Sequence, residues 1–180
     1  DVLNTLHKLF FTENKHLFMV YGEGGIGKSS LIGAYWKKFF ASYQHMAFCF
    51  VGNGIANALL ELALPLGITF EENEREDTRL NRIILEWNNR RSPKLLVLDN
   101  ADNQEDYETH FQYLHKFQET HLLVTSRNNE LYQTQGHRLP ALEKKSALEL
   151  FRVHYPDLKQ EEESLFWTIY KEIDRNTLVL

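Results

Sequence analysis

The stretch Gly22-Glu23-Gly24-Gly25-Ile26-Gly27-Lys28-Ser29 has the spacing G-x-x-x-x-G-K-[ST], and each residue type in it has a use in holding phosphate. Glycines let consecutive backbone N–H groups turn inward around an anion, where side chains would clash or demand disallowed dihedrals. Lys28 supplies a point charge for β and γ phosphates, and the Ser29 hydroxyl is a ligand for Mg²⁺. A helix starting here adds the partial positive charge of its N-terminus. The ligand implied is a nucleoside triphosphate with Mg²⁺. It is held by the backbone of Gly22, Gly24, Gly25, Ile26 and Gly27 together with Lys28 and Ser29.

Such a loop works only between a buried strand and a helix, and both flanks fit. Residues 17–21, Leu-Phe-Met-Val-Tyr, form a continuous apolar run suited to a strand buried on both faces. Beyond the loop, Leu31, Ile32, Tyr35, Trp36 and Phe39 recur at helical spacing. Two further stretches belong to the same chemistry. Leu95-Leu96-Val97-Leu98-Asp99 is an apolar strand ending in a carboxylate, the element that sets an acid opposite the phosphate loop to hold Mg²⁺. Leu122-Leu123-Val124-Thr125-Ser126-Arg127 ends in hydroxyls and an arginine, and in open parallel sheets the carboxyl ends of strands line the ligand crevice. Arg127 is thus placed either to meet a γ phosphate or to make a salt bridge at the sheet edge.

The elements that must position these residues alternate between apolar runs and helical patterns, as in a parallel sheet with crossover helices. Strands are predicted over 17–21, 45–51, 94–99, 121–126 and 138–142. Helical patterns run from the phosphate loop to Phe39, over 53–64 and from Leu80 to Trp87, with a less regular one between Asp102 and Phe117. The charged segment 71–77 reads as a solvated loop. After 142 the strand signals stop: Ala147, Leu150 and Phe151 make one stripe and Leu165, Ile169 and Ile173 another, with a turn at Tyr155-Pro156-Asp157. The organisation expected is a nucleotide-binding domain over 1–142 and the beginning of a helical subdomain over 143–180. Because the chain begins at Asp1 and stops inside Leu178-Val179-Leu180, it reads as a piece of something longer.

Composition narrows the classes. The 180 residues are 43% hydrophobic with a formal charge of -5, enough for one substantial core. The basic residues never run longer than two, which gives no footprint for nucleic acid. No apolar stretch is long enough to span a bilayer. The single cysteine, Cys49, lies in an apolar run and suits the core of a protein in a reducing, cytoplasmic setting. His110, His115 and His121 lack ligand spacing and a cysteine partner, so packing or solvated roles are expected for them.

Four stretches taken together resemble the NB-ARC domain, a STAND-class P-loop ATPase related to AAA+ proteins. They are the phosphate loop, Leu95-Leu96-Val97-Leu98-Asp99-Asn100-Ala101-Asp102, Leu122-Leu123-Val124-Thr125-Ser126-Arg127-Asn128, and Leu139-Pro140-Ala141-Leu142 followed by Ala147-Leu148-Glu149-Leu150-Phe151. The resemblance implies an α/β P-loop NTPase fold of three layers, with a five-stranded parallel sheet in the order 5-1-4-3-2 and a helical subdomain that lids the nucleotide. Gly25, Gly27, Lys28 and Ser29 would cradle the phosphates, Ser30 would lie near the α phosphate, Asp99 would serve Mg²⁺ and Arg127 would sense the γ phosphate. It implies a conformational switch in a larger signalling protein: closed with ADP, opened by ATP or dATP, then assembled into a homo-oligomer, with other domains of the same larger chain as further partners.

Three departures from the family pattern bear on that expectation. Where the family often has a second acid after the Mg²⁺ carboxylate, this chain has Asn100, and an amide cannot take a proton from attacking water. Slow hydrolysis is therefore expected, with Asp102 the nearest alternative acid, in competition with a surface or helix-capping role. The family's later G-L-P-L stretch corresponds to Thr177-Leu178-Val179-Leu180, without glycine or proline. Glu143 stands where a capping hydroxyl is usual. The competing readings are a P-loop kinase, which needs acceptor-site residues and its own lid, and an active AAA+ ATPase, which needs a proton acceptor after Asp99.

Overall fold

Residues 2–173 are described in the computed structural model. Five strands form one sheet: β1 (Leu17–Tyr21), β2 (His45–Phe50), β3 (Lys94–Asp99), β4 (Thr120–Ser126) and β5 (Gly136–Arg138). Their order is β2-β3-β4-β1-β5 and every pairing is parallel, which is the predicted order read from the other edge. Strands alternate sides residue by residue. Phe18 and Val20 of β1, Leu95 and Val97 of β3 and Leu123 of β4 enter one apolar cluster, whereas Met19, Leu96, Leu98, Leu122 and Val124 enter the other. Because both faces are covered, the central strands are continuously apolar instead of alternating with polar residues.

The first face is covered by α1 (Val2–Phe11) and α2 (Lys28–Phe39), with Leu6, Phe10, Ile32 and Tyr35 buried. The second is covered by α3 (Ile55–Leu60), α4 (Ala63–Leu66), α5 (Glu76–Asn88) and α6 (Gln104–Leu114). Beyond β5, α7 (Lys144–His154) and α8 (Glu163–Glu172) bury Ala147, Phe166 and Tyr170 in a small cluster of their own. Tyr170 Oη donates to the Leu142 carbonyl at 2.8 Å, tying α8 to the segment before α7. Glu143 makes no side-chain cap, as its sequence position suggests.

The structure departs from the sequence expectations at four elements, each for a local reason. Helix α1 carries no strand or motif signal and was not predicted; its apolar residues Leu3, Leu6 and Phe10 do recur at helical spacing. The single helix expected over 53–64 is two short ones broken at Glu61 and Leu62. Pro65 has no N–H to give the carbonyl four residues earlier, at Glu61, and its ring crowds that carbonyl. Gly67 then closes α4 at a φ of 74°. The charged segment 71–77 is partly structured: Glu76 and Asp77 open α5, Glu74 pairs with Arg82 at 2.7 Å, and Arg79 donates to the Glu71 and Glu72 carbonyls. The fifth strand is Gly136–Arg138 instead of 138–142, since Pro140 cannot donate to a ladder; one more bond, from Leu139 N to the Tyr21 carbonyl, ends the pairing. The expected Thr177-Leu178-Val179-Leu180 correspondence lies outside the described residues.

The remaining singled-out residues are accounted for by packing. His121 stacks on Phe10 with ring centroids 4.7 Å apart and bonds to Tyr43 Oη at 3.1 Å; burial lowers its pKa to about 4. Cys49 is 2% exposed, and burial pushes its thiol up to about 12, so it stays protonated at neutral pH. Lys94, 1% exposed at the start of β3, places Nζ 3.3 Å from the carbonyls of Asn88 and Arg90 at the C-terminal end of α5, where a cation is favoured. No described helix is long and apolar enough to cross a membrane.

Candidate functional site

The carboxyl ends of β1, β3 and β4 lie side by side, and the chain leaves each of them into the same crevice. From β1 it enters the loop 22–27, whose first N–H, on Gly22, bonds the Ser126 carbonyl at the end of β4. Gly25 and Gly27 have φ values of 76° and 102°, a region that side chains with a Cβ enter at a cost. Ile26 is the loop's anchor, 8% exposed. Gly27 is the residue before α2 and supplies no side-chain cap, so the amide groups of the first turn are left for an anion or solvent.

Lys28 folds back over this loop, donating to the carbonyls of Gly22 at 2.8 Å and Glu23 at 2.9 Å. Burial lowers its pKa from the ordinary lysine value; Asp102 and Asp99 push it back up, and Arg127 pushes it further down. Ser29 Oγ donates to Asp99, 2.9 Å from Oδ2 and 3.2 Å from Oδ1. Asp99 is 6% exposed at the end of β3, and its Oδ1 also accepts from Thr125 Oγ1 at 2.5 Å. Thr125 Oγ1 in turn accepts from Asn100 N at 2.9 Å, where Asn100 sits at a φ of 69°. Asparagine is one of the few side chains that tolerate this left-handed conformation, which is a structural reason for an amide here.

Arg127 leaves β4 beside the loop. Its backbone N donates to Asp102 Oδ1 at 2.6 Å and its Nε to Asp102 Oδ2 at 2.5 Å, while Ser126 Oγ lies 3.3 Å from Oδ1. Burial pushes the Asp102 carboxyl up, but the Arg127 and Ser126 bonds together outweigh it and leave its pKa below the ordinary carboxylate value. The capping role weighed for Asp102 belongs to its neighbour: Asn103 is the N-cap of α6, and its side chain accepts from Asp106 N at 3.1 Å.

These groups share a cavity of about 750 Å³, within the range of small-molecule sites. Gly24, Gly25, Ile26, Gly27, Lys28, Ser29, Ser30, Asp99 and Arg127 all line it. Gly22 lies behind the lining, against the Leu139 carbonyl, and Asp102 behind Arg127. The opposite wall is apolar, made by Leu139, Pro140, Leu142 and Leu150 with His154. That wall was not assigned from the sequence, although Leu139-Pro140-Ala141-Leu142 stood out as a motif. The four-residue spacing of Leu150 and His154 on α7 was the available signal. Thr125 was likewise missed as a functional residue. A second, apolar cleft of about 480 Å³ lies between α7 and α8, lined by residues such as Tyr155, Leu165 and Ile169, and holds no phosphate-binding loop.

A hydroxyl and a carboxylate meeting at the mouth of a phosphate loop are hard oxygen donors of the kind Mg²⁺ takes. Ser29 and Asp99 therefore fit a divalent cation. Among the described residues no group of three or more His, Cys, Asp and Glu side chains is placed to hold a metal on its own.

The NB-ARC domain family matches residues 1–159. Among solved structures, the chain is similar to Cdc6p from Pyrobaculum aerophilum, with 18% identity and a TM-score of 0.63 over 83% of this chain and 46% of that one. It is similar to the Aeropyrum pernix ORC1 protein, solved in complex with DNA, with 13% identity and a TM-score of 0.72 over 98% of this chain and 55% of that one. It also resembles AMPPCP-bound DnaA from Aquifex aeolicus, with 13% identity and a TM-score of 0.54 over 89% of this chain and 52% of that one. At these identities the likeness is one of fold alone, and the chain spans about half the length of these structures. No curated protein matches it.

The hydroxyl of Thr125 serves two partners at once, donating to Asp99 and accepting from Asn100 N–H. Thr125→Val keeps the shape but leaves the buried Asp99 carboxylate with Ser29 in place of two hydroxyl donors and Asn100 N–H without its acceptor. We expect a loss of about 1–3 kcal/mol in urea unfolding, and a smaller one for Ser29→Ala, because Ser29 is an exposed residue and its removal leaves Asp99 bonded to Thr125.

Proposed function

This chain belongs to the NB-ARC family and is a nucleotide-binding module of the ATPase type, and we propose that it works as a slowly hydrolysing switch operated by ADP and ATP or dATP. The observation that carries the reading is the convergence of Lys28 at the start of α2, Asp99 at the end of β3 and Arg127 just after β4 on one cavity. In this reading the loop amides, the α2 N-terminus and Lys28 bind the β and γ phosphates, and Ser30 lies by the α phosphate. Lys28 exchanges its bonds to the Gly22 and Glu23 carbonyls for bonds to phosphate. Ser29 and Asp99 hold Mg²⁺, which neutralises phosphate charge when bound.

Arg127 supplies the difference between the two nucleotides, because only a triphosphate offers its guanidinium a γ phosphate. A ligand shifts a conformational equilibrium only by its differential affinity for the two states. The apolar wall contributed by Leu150 gives the α7 side of the cavity a direct stake in what is bound. We assign 1–142 to the nucleotide-binding domain and 143–180 to the start of a helical lid, a division supported by the separate cluster of α7 and α8. The wider role proposed is in a cytoplasmic signalling protein, with nucleotide opening exposing surfaces for other domains of the same chain and for homo-oligomer formation.

Lys28→Ala removes the cation closest to the phosphates, and titration with a fluorescent ATP analogue should show affinity lower by about ten- to a hundredfold. Unchanged affinity would remove the phosphate loop from the site. Arg127→Ala should lower ATP affinity in calorimetry while leaving ADP nearly unchanged. An equal loss for both nucleotides would make Arg127 structural. For hydrolysis, Asn100 can hold a water by a hydrogen bond but cannot accept its proton, so single-turnover rates should be low. Asn100→Asp, tolerated by the same left-handed backbone, should raise them by about tenfold or more. Fast turnover by the unaltered chain would contradict the slow-switch reading.

A further inference from the structure

We propose that Asp102 is the positioning residue for nucleotide discrimination: it holds the Arg127 guanidinium by its Nε edge and thereby presents the two terminal nitrogens to the nucleotide cavity. The proposal rests on the reading of Arg127 as the γ-phosphate sensor. Asp102 itself is placed for no direct role, since it stands behind Arg127 and its oxygens are taken by Arg127 N, Arg127 Nε and Ser126 Oγ.

The Arg127 side chain is 60% exposed, and a long exposed side chain without a clamp spreads over many rotamers. Asp102, 18% exposed, removes that freedom at the near end of the guanidinium. Of the five guanidinium N–H groups, the Nε bond uses one, and the other four are on the terminal nitrogens. The stem is guided too: Arg127 Cδ lies 3.8 Å from the position a Cβ on Gly24 would take, so the side chain runs along the phosphate loop.

The clamp is itself fixed. The Asp102 carbonyl accepts from Asn128 Nδ2 at 2.7 Å, and the following residue caps α6. The same carboxylate oxygen that meets the Arg127 backbone also meets Ser126 Oγ, so backbone and side chain of the sensor are set by one group. On α6, Asp106 accepts from Ile55 N at 2.9 Å, which joins the clamp to the start of α3.

Charge alone predicts the opposite sign from positioning. A carboxylate beside the site repels phosphate, and repels the larger anion more, so neutralising it would favour ATP over ADP. If Asp102 positions Arg127, neutralising it must disfavour ATP. The test is calorimetry of ATP and ADP with the unaltered chain, Asp102→Asn, Asp102→Glu, Arg127→Ala and the Asp102→Asn/Arg127→Ala double variant. Asp102→Asn should lower ATP affinity relative to ADP by about three- to tenfold, with no further change in the Arg127→Ala background. Asp102→Glu should fall between it and the unaltered chain. A ratio that is unchanged or raised by Asp102→Asn, or lowered equally without Arg127, overturns the proposal. If Arg127→Ala itself leaves the ratio unmoved, the sensor reading fails and takes this one with it; if Arg127→Ala moves the ratio and Asp102→Asn does not, only the positioning role fails. Should Asp102→Asn not fold, Asp102→Glu decides by the same ratio, because it keeps the charge and displaces the carboxylate.

Discussion

A carboxylate that is 6% exposed must find hydrogen-bond donors inside the protein, and Asp99 finds them on two different elements: Ser29 in the first turn of α2 and Thr125 at the end of β4. This fixes the rest of the site. Holding Ser29 sets the start of α2 and with it the orientation of the first-turn amides and Lys28. Holding Thr125 sets the end of β4, and Thr125 passes the constraint to Asn100 through its backbone N–H. The crevice thus has a floor of three hydroxyl and carboxylate groups before any phosphate is bound. Most of the cost of ordering those groups is met by the sheet beneath them.

The sheet can meet it because its central strands are buried on both faces. Leu95, Leu96, Val97 and Leu98 of β3 are each fully buried, and they divide between two apolar clusters according to their parity along the strand. Shifting β3 by one residue would put Asp99 on the other side and the wrong leucines in each cluster. The register that satisfies packing is therefore the register that delivers Asp99 to Ser29.

Around that floor, the parts proposed to distinguish one nucleotide from another are less buried. Arg127 is tied to Asp102 but largely exposed, and the apolar wall opposite comes from the 139–142 segment and α7. This division, with a fixed phosphate floor and a more exposed rim, is what a nucleotide-dependent change of conformation needs. The small cluster of Ala147, Phe166 and Tyr170 is separate from the two large clusters of the sheet, so rearrangement of α7 and α8 need not disturb the strands.

Local chemistry explains which features could be read from the sequence. The phosphate loop was legible because its glycines, lysine and serine are consecutive, and the three central strands because two-sided burial demands continuous apolar runs. The 71–77 segment reads as a solvated loop and the fifth strand is predicted through Pro140, and neither expectation holds in full. Whether a charged stretch is ordered, and where an edge strand stops, depends on which groups lie opposite in space. The chain by itself determined, through its family resemblance, the strand order, and by its own spacing the loop proposed to bind phosphate and the acid that faces it. Only the tertiary structure decided that Asp102 grips Arg127 instead of capping α6, that Thr125 bridges Asp99 and Asn100, and that α7 supplies part of the cavity wall. Each of those contacts joins residues that are about 20 or more positions apart, and sequence spacing holds no record of the distance between strand ends until the sheet brings them together.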